Sequence, residues 1–329
     1  MKALVTRQLP NEALRIVMEA AETEVWMGEY PPPREFIRER MGDLDGLLCL
    51  LTDRIDQELL RSARKLRVVS QMAVGYDNID VAACTEKGIA VGNTPGVLTE
   101  TTADLAFGLL LAAARRISES ERWLREGKWQ TWSPMQLTGP DVHHATLGIV
   151  GMGRIGYEMA RRAHGFEMTL LYHSPKRNED AERDFGARFV ERNELLAESD
   201  FVSLHTPLNP ATRHLIGAAQ LARMKPTALL INTARGAVVD QAALVEALRA
   251  GTIAGAGLDV FESEPLPPND PLLLLDNVTL LPHIGSASIA TRTKMAVLAA
   301  ENLAAGLQGR PLPHPVNPGV VPLIRGTDG

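Results

Sequence analysis

The chain has 329 residues, of which 45% are hydrophobic and 22% are charged, and its net charge is −6. At about 150 residues per domain, this length predicts two globular domains. The acidic balance disfavours nucleic acid or an anionic membrane as a partner, because both favour a basic protein face.

Targeting signals are weak in this sequence. No apolar run reaches the roughly 18 residues of a membrane span. The first residues lack the apolar region of a signal peptide. Only two cysteines are present, Cys49 and Cys84, too few for a disulfide framework. We therefore expect a cytoplasmic protein with reduced thiols.

The first hundred residues alternate short apolar runs with helical patterns, which is typical of a small α/β unit around a parallel sheet. The predicted strands are Ala3–Val5, Glu24–Met27, Gly46–Leu51, Arg67–Met72 and Ile89–Val91, with helices at Arg34–Met41 and Gln57–Ala63.

A long helix is predicted next, from about Thr99 to Arg125, because threonines can cap its start and apolar residues follow at helical spacing. Three of the four tryptophans (Trp123, Trp129 and Trp132) then fall within ten residues. We interpret residues 115–140 as an arm that contacts a second subunit. The alternative is an arm that packs its aromatic side chains on its own domain.

The alternation restarts with more apolar strands, and helical patterns between most of them predict a doubly wound parallel sheet of the Rossmann type. The predicted strands are Leu147–Val150, Met168–Tyr172, Phe201–Leu204, Ala228–Ile231, Gly257–Val260 and Val278–Leu281, and a last helix is predicted over Ala287–Gln308.

A G-x-G-x-x-G motif lies between the first of these strands and a helical pattern. Its residues are Gly151, Gly153, Arg154, Ile155 and Gly156, with Met152 at the second position. Glycines at these positions allow a tight turn, close backbone approach to a diphosphate, and helix–strand packing. The strand–motif–helix order predicts a dinucleotide-binding site; a plain strand–turn–helix is the alternative.

The end of the next strand indicates which dinucleotide binds. NAD sites usually place an acidic residue there, to hold the ribose 2′-hydroxyl. No acidic residue occurs between Met168 and Asn178, whereas Ser174, Lys176 and Arg177 do. This pattern favours the 2′-phosphate of NADP(H), with NAD(H) still possible; a solvated turn is the alternative.

Three further loops follow predicted parallel strands, at the sheet edge where open α/β sheets bind ligands. They carry Arg235, the pair Glu262 and Glu264, and His283. Arginine can bind a substrate carboxylate with two hydrogen bonds, and histidine can transfer the hydroxyl proton while a carboxylate orients its ring. The other histidines lack metal-ligand spacing, so no metal site is predicted.

These motifs resemble the D-isomer-specific 2-hydroxyacid dehydrogenase family over nearly the whole chain. The segments that carry the resemblance are residues 75–80 (GYDNID), 151–156, 232–236 (NTARG), 257–262 (GLDVFE) and 282–285 (PHIG). Residues 127–132 and 264–267 look most like the glyoxylate/hydroxypyruvate reductase branch.

The resemblance implies roles for individual residues. Arg235, Glu264 and His283 would be catalytic, and Arg235 and His283 would also bind substrate together with Val74 and Gly75 of the 73–75 loop. Asp259 would bind the carboxamide side of the nicotinamide. The other implied cofactor contacts are Thr102, His205, Thr206, Pro207, Thr233, Ala234 and Gly285.

The resemblance also implies a discontinuous substrate-binding domain, flavodoxin-like, made of residues 1–98 and 287–329. A Rossmann cofactor domain would span residues 99–286, and homodimers are expected.

These observations predict an NADPH-dependent reductase of small 2-oxoacids, glyoxylate and hydroxypyruvate, with His283 as proton donor. One alternative is another 2-oxoacid reductase, such as a 2-ketogluconate reductase. A formate-type enzyme is disfavoured by Glu264, where formate dehydrogenases have glutamine, while a phosphite-type enzyme is harder to exclude. A dinucleotide-sensing corepressor on the same fold is the alternative from a different functional class.

Overall fold

The structure is a computed structural model that describes residues 1–321. Residues 322–329, the end of the predicted second segment of the substrate domain, lie outside the described residues. The chain forms two compact units. One combines Met1–Leu98 with the segment from Ala287 onward, and the other spans Thr99–Ser286.

The first unit contains a five-stranded parallel sheet in the order β2-β1-β3-β4-β5. Apolar side chains are buried on both of its faces, which explains the near-continuous apolar runs of its central strands. The strands are β1 (Lys2–Val5), β2 (Glu22–Val25), β3 (Gly46–Cys49), β4 (Val68–Gln71) and β5 (Ala90–Gly92), and the helices are α1 (Asn11–Ala20), α2 (Arg34–Met41), α3 (Gln57–Leu60), α4 (Val81–Glu86) and α12 (Ile289–Leu307).

Helix α12 belongs to this unit because small residues let it approach the sheet closely. A Cβ on Gly306 would lie 2.5 Å from the Cβ of Val68. The buried hydroxyl of Ser70 donates a hydrogen bond to the carbonyl oxygen of Ala299 over 2.7 Å. The last helix therefore packs on strands that lie more than 200 residues earlier in the sequence.

The second unit contains a seven-stranded parallel sheet in the order β12-β11-β10-β9-β6-β7-β8. The strand order reverses at β6, between β9 and β7, which is the point where doubly wound sheets bind ligands. The strands are β6 (Thr146–Val150), β7 (Thr169–His173), β8 (Arg188–Phe189), β9 (Phe201–Leu204), β10 (Leu229–Asn232), β11 (Gly255–Leu258) and β12 (Val278–Leu280). The helices are α5 (Thr99–Ala114), α6 (Ile117–Arg125), α7 (Arg154–His164), α8 (Glu179–Phe185), α9 (Arg192–Glu198), α10 (Ala218–Leu221) and α11 (Gln241–Arg249).

The predicted fold class, two parallel α/β sheets, is confirmed, with two corrections. The single helix predicted over 99–125 is wrong, because Arg116 has a left-handed φ of 51° and separates α5 from α6. The predicted six-stranded sheet has a seventh strand, β8, whose two residues are too short for an apolar pattern to reveal.

No helix within residues 1–321 is both long and apolar enough to cross a bilayer. No group of three or more histidine, cysteine or acidic side chains there is arranged to hold a metal ion.

Candidate active site

The loop between β6 and α7 uses its three glycines in different ways. Gly151 has a φ of 99°, and a Cβ there would lie 2.7 Å from the carbonyl oxygen of His205. A Cβ on Gly156 would overlap the carbonyl oxygen of Gly151, so the helix packs on the loop only with glycine here. Apart from its own chain neighbours and helix, no part of residues 1–321 lies within 4 Å of the Cβ position of Gly153. This leaves open space in front of the helix.

The first turn of α7 fits a diphosphate group. Gly153 is the N-cap residue, so no side chain caps the helix. The N–H groups of a first helical turn and the helix dipole both stabilise a bound anion. Arg154 is exposed at this end and Ile155 is half-buried. These residues would hold the diphosphate of a dinucleotide.

The turn after β7 contains the three residues assigned to a 2′-phosphate. Ser174 is half-buried, and Lys176 and Arg177 are exposed. Arg177 donates hydrogen bonds from Nε and Nη2 to the two carboxylate oxygens of Glu182, over 3.0 and 2.7 Å. The Tyr172 hydroxyl also donates to Glu182, over 2.5 Å. The strand end lacks an acidic residue, but α8 supplies one, which sequence reasoning missed.

The His205–Pro207 turn lies against the glycine-rich loop. The backbone of His205 and Thr206 lies within 3.0 Å of the Cβ position of Gly151. The His205 ring is 2.9 Å from the Ser203 hydroxyl, and burial lowers the pKa of His205 to about 4. This imidazole is therefore neutral at physiological pH.

Arg235 is positioned by the residues that follow β10. The Asn232 side chain accepts the N–H of Ala234 and donates to the carbonyl oxygen of Arg235, both over 3.0 Å. A Cβ on Gly236 would overlap the backbone of Phe261, so this turn is in close contact with the loop after β11.

Thr233, in the same turn, has features of a ligand contact. It is 9% exposed, and its Oγ1 atom has no hydrogen-bond partner in the described part of the chain. Buried hydroxyl groups are normally hydrogen-bonded. The unpartnered hydroxyl therefore fits a place beside a bound cofactor.

Asp259 organises the loop that carries His283. Its carboxylate accepts the N–H groups of Ile284 and Gly285, each over 2.8 Å, and its carbonyl oxygen accepts the N–H of His283 over 2.9 Å. Burial raises the pKa of Asp259 even though these backbone N–H groups oppose the rise. Sequence reasoning assigned Asp259 only to the cofactor, so this holding role is new. A Cβ on Gly285 would be in contact with Thr102, which is also buried.

His283 and Glu264 form a hydrogen-bonded pair. His283 Nδ1 lies 2.6 Å from Glu264 Oε2, and both side chains are about one-third exposed, at 31% and 34%. The other carboxylate oxygen of Glu264 accepts the N–H of Phe261 over 2.9 Å. Burial opposes ionisation of Glu264, but His283, this N–H and the positive charge of Arg235 together hold its pKa below the ordinary value. The pair leaves His283 Nε2 to exchange a proton.

The second glutamate of this loop has a different partner. Glu262 Oε1 lies 2.5 Å from Nε2 of His214. The Glu262 N–H donates to the Gln241 side chain over 3.1 Å. From sequence spacing alone, either glutamate could be the partner of His283. In the structure, the partner is Glu264.

Arg235, Glu264 and His283 therefore lie on consecutive loops at the carboxyl edge of one sheet, after the adjacent strands β10, β11 and β12. The glycine-rich loop follows β6 at the same edge. Val74 and Gly75 belong to the other unit, on the loop after β4, where both are half-buried.

Comparison with known proteins gives a consistent result. Residues 107–285 match the model of the D-isomer specific 2-hydroxyacid dehydrogenase, NAD binding domain. The chain is 57% identical over 321 residues to the glyoxylate reductase of Korarchaeum cryptofilum, covering 97% of each chain.

Solved structures are also similar. A crystal structure of a Thermus thermophilus protein has a TM-score of 0.90 and 48% identity, covering 96% of this chain and 100% of that one. The NADPH-dependent glyoxylate/hydroxypyruvate reductase of Sinorhizobium meliloti, solved with NADP and malonate, has a TM-score of 0.85 and 34% identity, covering 98% of each.

Proposed function

This chain belongs to the D-isomer specific 2-hydroxyacid dehydrogenase family and is an NAD(P)-dependent oxidoreductase, and from that premise we propose its reaction. The proposed reaction is the NADPH-dependent reduction of glyoxylate to glycolate and of hydroxypyruvate to D-glycerate. The observation that carries this proposal is the 2.6 Å His283–Glu264 hydrogen bond, in a loop that is in contact with the Arg235 turn. The names of the similar reductases support the substrate class.

His283 is the proposed proton donor. Reduced nicotinamide, when bound, supplies a hydride to the carbonyl carbon of the substrate. Because Glu264 occupies Nδ1, His283 delivers its proton from Nε2 to the carbonyl oxygen. The ionised Glu264 favours the positively charged imidazole that this transfer requires.

Arg235 is the proposed anchor for the substrate carboxylate. Its planar guanidinium group can form two parallel hydrogen bonds with a carboxylate, which fixes the position of the 2-oxo group. Holding the reacting atoms in one geometry lowers the barrier by reducing the entropy lost in the transition state.

A substrate screen tests the proposed function. Initial rates with NADPH are measured for glyoxylate, hydroxypyruvate, pyruvate and 2-ketogluconate. We expect the highest kcat/KM for glyoxylate or hydroxypyruvate. A higher value for 2-ketogluconate would reassign the substrate, and no turnover of any of the four would favour a sensing role.

The Glu264→Gln variant tests the His283–Glu264 pair. Because the pKa of Glu264 lies below its ordinary value, this carboxylate is negatively charged at neutral pH. Glutamine keeps the shape but removes this charge, so the protonated imidazole is less favoured. We expect the alkaline limb of the kcat profile for reduction to move to lower pH. Glu262→Gln, on the same loop but paired with His214, is the control and should leave the profile unchanged. Equal profiles in the parent and Glu264→Gln would show that this charge does not act on His283.

The proposed NADPH preference rests on Ser174, Lys176 and Arg177. A hydroxyl group and two cations can bind a 2′-phosphate, and charge-assisted hydrogen bonds contribute about 1.5–3 kcal/mol each. Glu182 neutralises part of the Arg177 charge, and the site is exposed. We therefore expect NADPH to be preferred over NADH by roughly tenfold in kcat/KM, the fold-change that corresponds to about 1.4 kcal/mol.

Replacing Lys176 and Arg177 together with alanine should remove this preference. The kcat/KM for NADPH should fall roughly tenfold and that for NADH should change little, because only NADPH carries the phosphate. The preference of the parent should also shrink as salt rises. Arg183→Ala removes an exposed charge of the same helix region and serves as the control. A parent that uses the two cofactors equally would show that Ser174–Arg177 is a solvated turn.

We also propose a cytoplasmic homodimer held by the 115–140 arm. Trp129, Trp132 and Met135, which lie close together in the sequence of this arm, are between 56% and 76% exposed. A second copy of the arm would cover them. Cys49 and Cys84 are both free and buried, which suits a reducing compartment.

A further inference from the structure

In the loop after β4, the backbone carbonyl groups and the backbone N–H groups differ in whether they form hydrogen bonds. Four consecutive carbonyl oxygens, those of residues 73–76, each accept a hydrogen bond. The N–H groups of Val74, Gly75 and Tyr76, by contrast, donate to no partner within residues 1–321. The N–H of Thr94 donates to the carbonyl oxygen of Ala73 over 2.9 Å, and the Asn93 side chain donates to that of Val74 over 2.8 Å. The Gln71 side chain donates to the carbonyl oxygen of Gly75 over 3.4 Å, and the N–H of Ile79 donates to that of Tyr76 over 3.0 Å.

The hydrogen bonds to the carbonyl groups determine the direction of the free N–H groups. A peptide bond is planar and trans, so its C=O and N–H point in opposite directions. When a donor holds the carbonyl group of Val74, the N–H of Gly75 is directed away from that donor. The same argument relates Ala73 to Val74 and Gly75 to Tyr76. Three successive backbone N–H groups that have no partner within residues 1–321 are available to bind an anion.

Asn93 makes the shortest of these contacts and is itself rigidly held. It follows β5 directly, and its N–H donates to the carbonyl oxygen of His314 over 3.2 Å. Its own carbonyl oxygen accepts the side-chain amide of Asn302 over 2.8 Å. Asn302 is fully buried. Because its backbone is held on both sides, Asn93 can keep its side-chain amide directed at Val74.

We propose that Asn93 is a positioning residue for substrate binding. By holding the carbonyl group of Val74, it directs the N–H of Gly75 toward the carboxylate of the 2-oxoacid, and Gln71 and Thr94 do the same for the neighbouring N–H groups. Asn93 itself does not touch the substrate. This inference rests on the proposed function, since it assigns the substrate carboxylate to these N–H groups.

The test compares the parent with Asn93→Ala and Asn93→Asp. The aspartate variant keeps the shape but replaces the donor with an acceptor, so it tests the bond if the alanine variant fails to fold. The substrate carboxylate is bound in both the ground state and the transition state. Weakening its contact with the loop should therefore raise KM and leave kcat nearly unchanged. We expect the KM for glyoxylate to rise roughly tenfold, with kcat within about threefold of the parent.

Binding of oxamate, an unreactive analogue of a 2-oxoacid, provides a second measurement. Its Kd, measured by titration calorimetry with saturating NADPH present, should also rise roughly tenfold, while the Kd of NADPH alone changes less than twofold. Asn277→Ala is the matched control, because the Asn277 side chain also donates to backbone carbonyl groups, over 3.3 and 3.2 Å. Asn277 directly precedes β12, so it lies at the amino end of the seven-stranded sheet, opposite to the edge that carries Arg235, Glu264 and His283.

Three results would overturn the inference. They are unchanged KM and oxamate Kd in a folded variant, an equal loss of NADPH affinity (which would indicate a general structural role), and a parent that binds no oxamate. Failure of the proposed function is distinguishable: the parent would then bind oxamate with an Asn93-dependent affinity but would not turn over glyoxylate.

Discussion

Replacing His283 with alanine is expected to lower kcat for glyoxylate reduction by roughly 10²–10⁴-fold, with little change in the Kd of NADPH. The physical reason is that the variant loses the proton donor, whereas the glycine-rich loop and the start of α7 do not depend on this side chain. Steady-state rates and a fluorescence titration of NADPH measure the two quantities separately.

His144→Ala is a closely matched control for this variant. Like His283, His144 has a left-handed backbone, with a φ of 60° compared with 54°, and it lies 3.2 Å from a glutamate, Glu167. It precedes β6 and so lies at the amino end of the sheet, away from the predicted site. The control should keep the parent kcat. A His283→Ala enzyme with more than half of the parent kcat would reject the role of proton donor.

Replacing Arg235 with glutamine is expected to lower kcat/KM for glyoxylate by roughly 100-fold. A two-pronged, charge-assisted contact with a carboxylate contributes about 3 kcal/mol, and each 1.4 kcal/mol corresponds to a factor of ten. Arg235→Lys keeps the charge but loses the planar geometry, so we expect a smaller fall, of at least about tenfold. Initial rates at low substrate concentration measure kcat/KM directly.

Arg249→Gln is the control for the charge change. Arg249 is a surface residue of α11 whose partner, Glu246, lies one turn earlier in the helix, so its loss should not affect substrate binding. Equal values of kcat/KM in the parent and Arg235→Lys would contradict the two-pronged contact. Equal values in the parent and Arg235→Gln would contradict any contact with the carboxylate.

Much of the architecture could be predicted from the sequence because it depends on local patterns. Apolar runs such as Leu147–Val150, followed by glycines and an amphipathic segment, are short-range signals of strand, turn and helix. The parallel sheets follow from the regular alternation of these elements, and the structure confirms them. The break at Arg116 was missed because apolar spacing continues across it and only one residue changes conformation.

The candidate site also has features that local patterns predict and features that they do not. That Arg235, Glu264 and His283 would lie near one another could be predicted, since each follows a parallel strand and such strand ends share one edge. Which glutamate pairs with His283 could not be predicted from spacing, because Glu262 and Glu264 lie on one loop and only its path decides. Glu182 was missed because a search confined to the strand end does not include the helix that brings this residue back to Arg177.

By itself, then, the sequence determined the types of the elements, the position of the glycine-rich loop and the residue types available for chemistry, because these depend on neighbours within about one element. The tertiary structure decided the hydrogen-bond partners. Glu264 and His283 are 19 residues apart, as are Asn93 and Val74, while Asn302 reaches Asn93 across 209 residues. Such contacts form only when packing brings distant loops together. No local pattern in the sequence specifies how far apart two such side chains lie in the folded protein or how they are oriented.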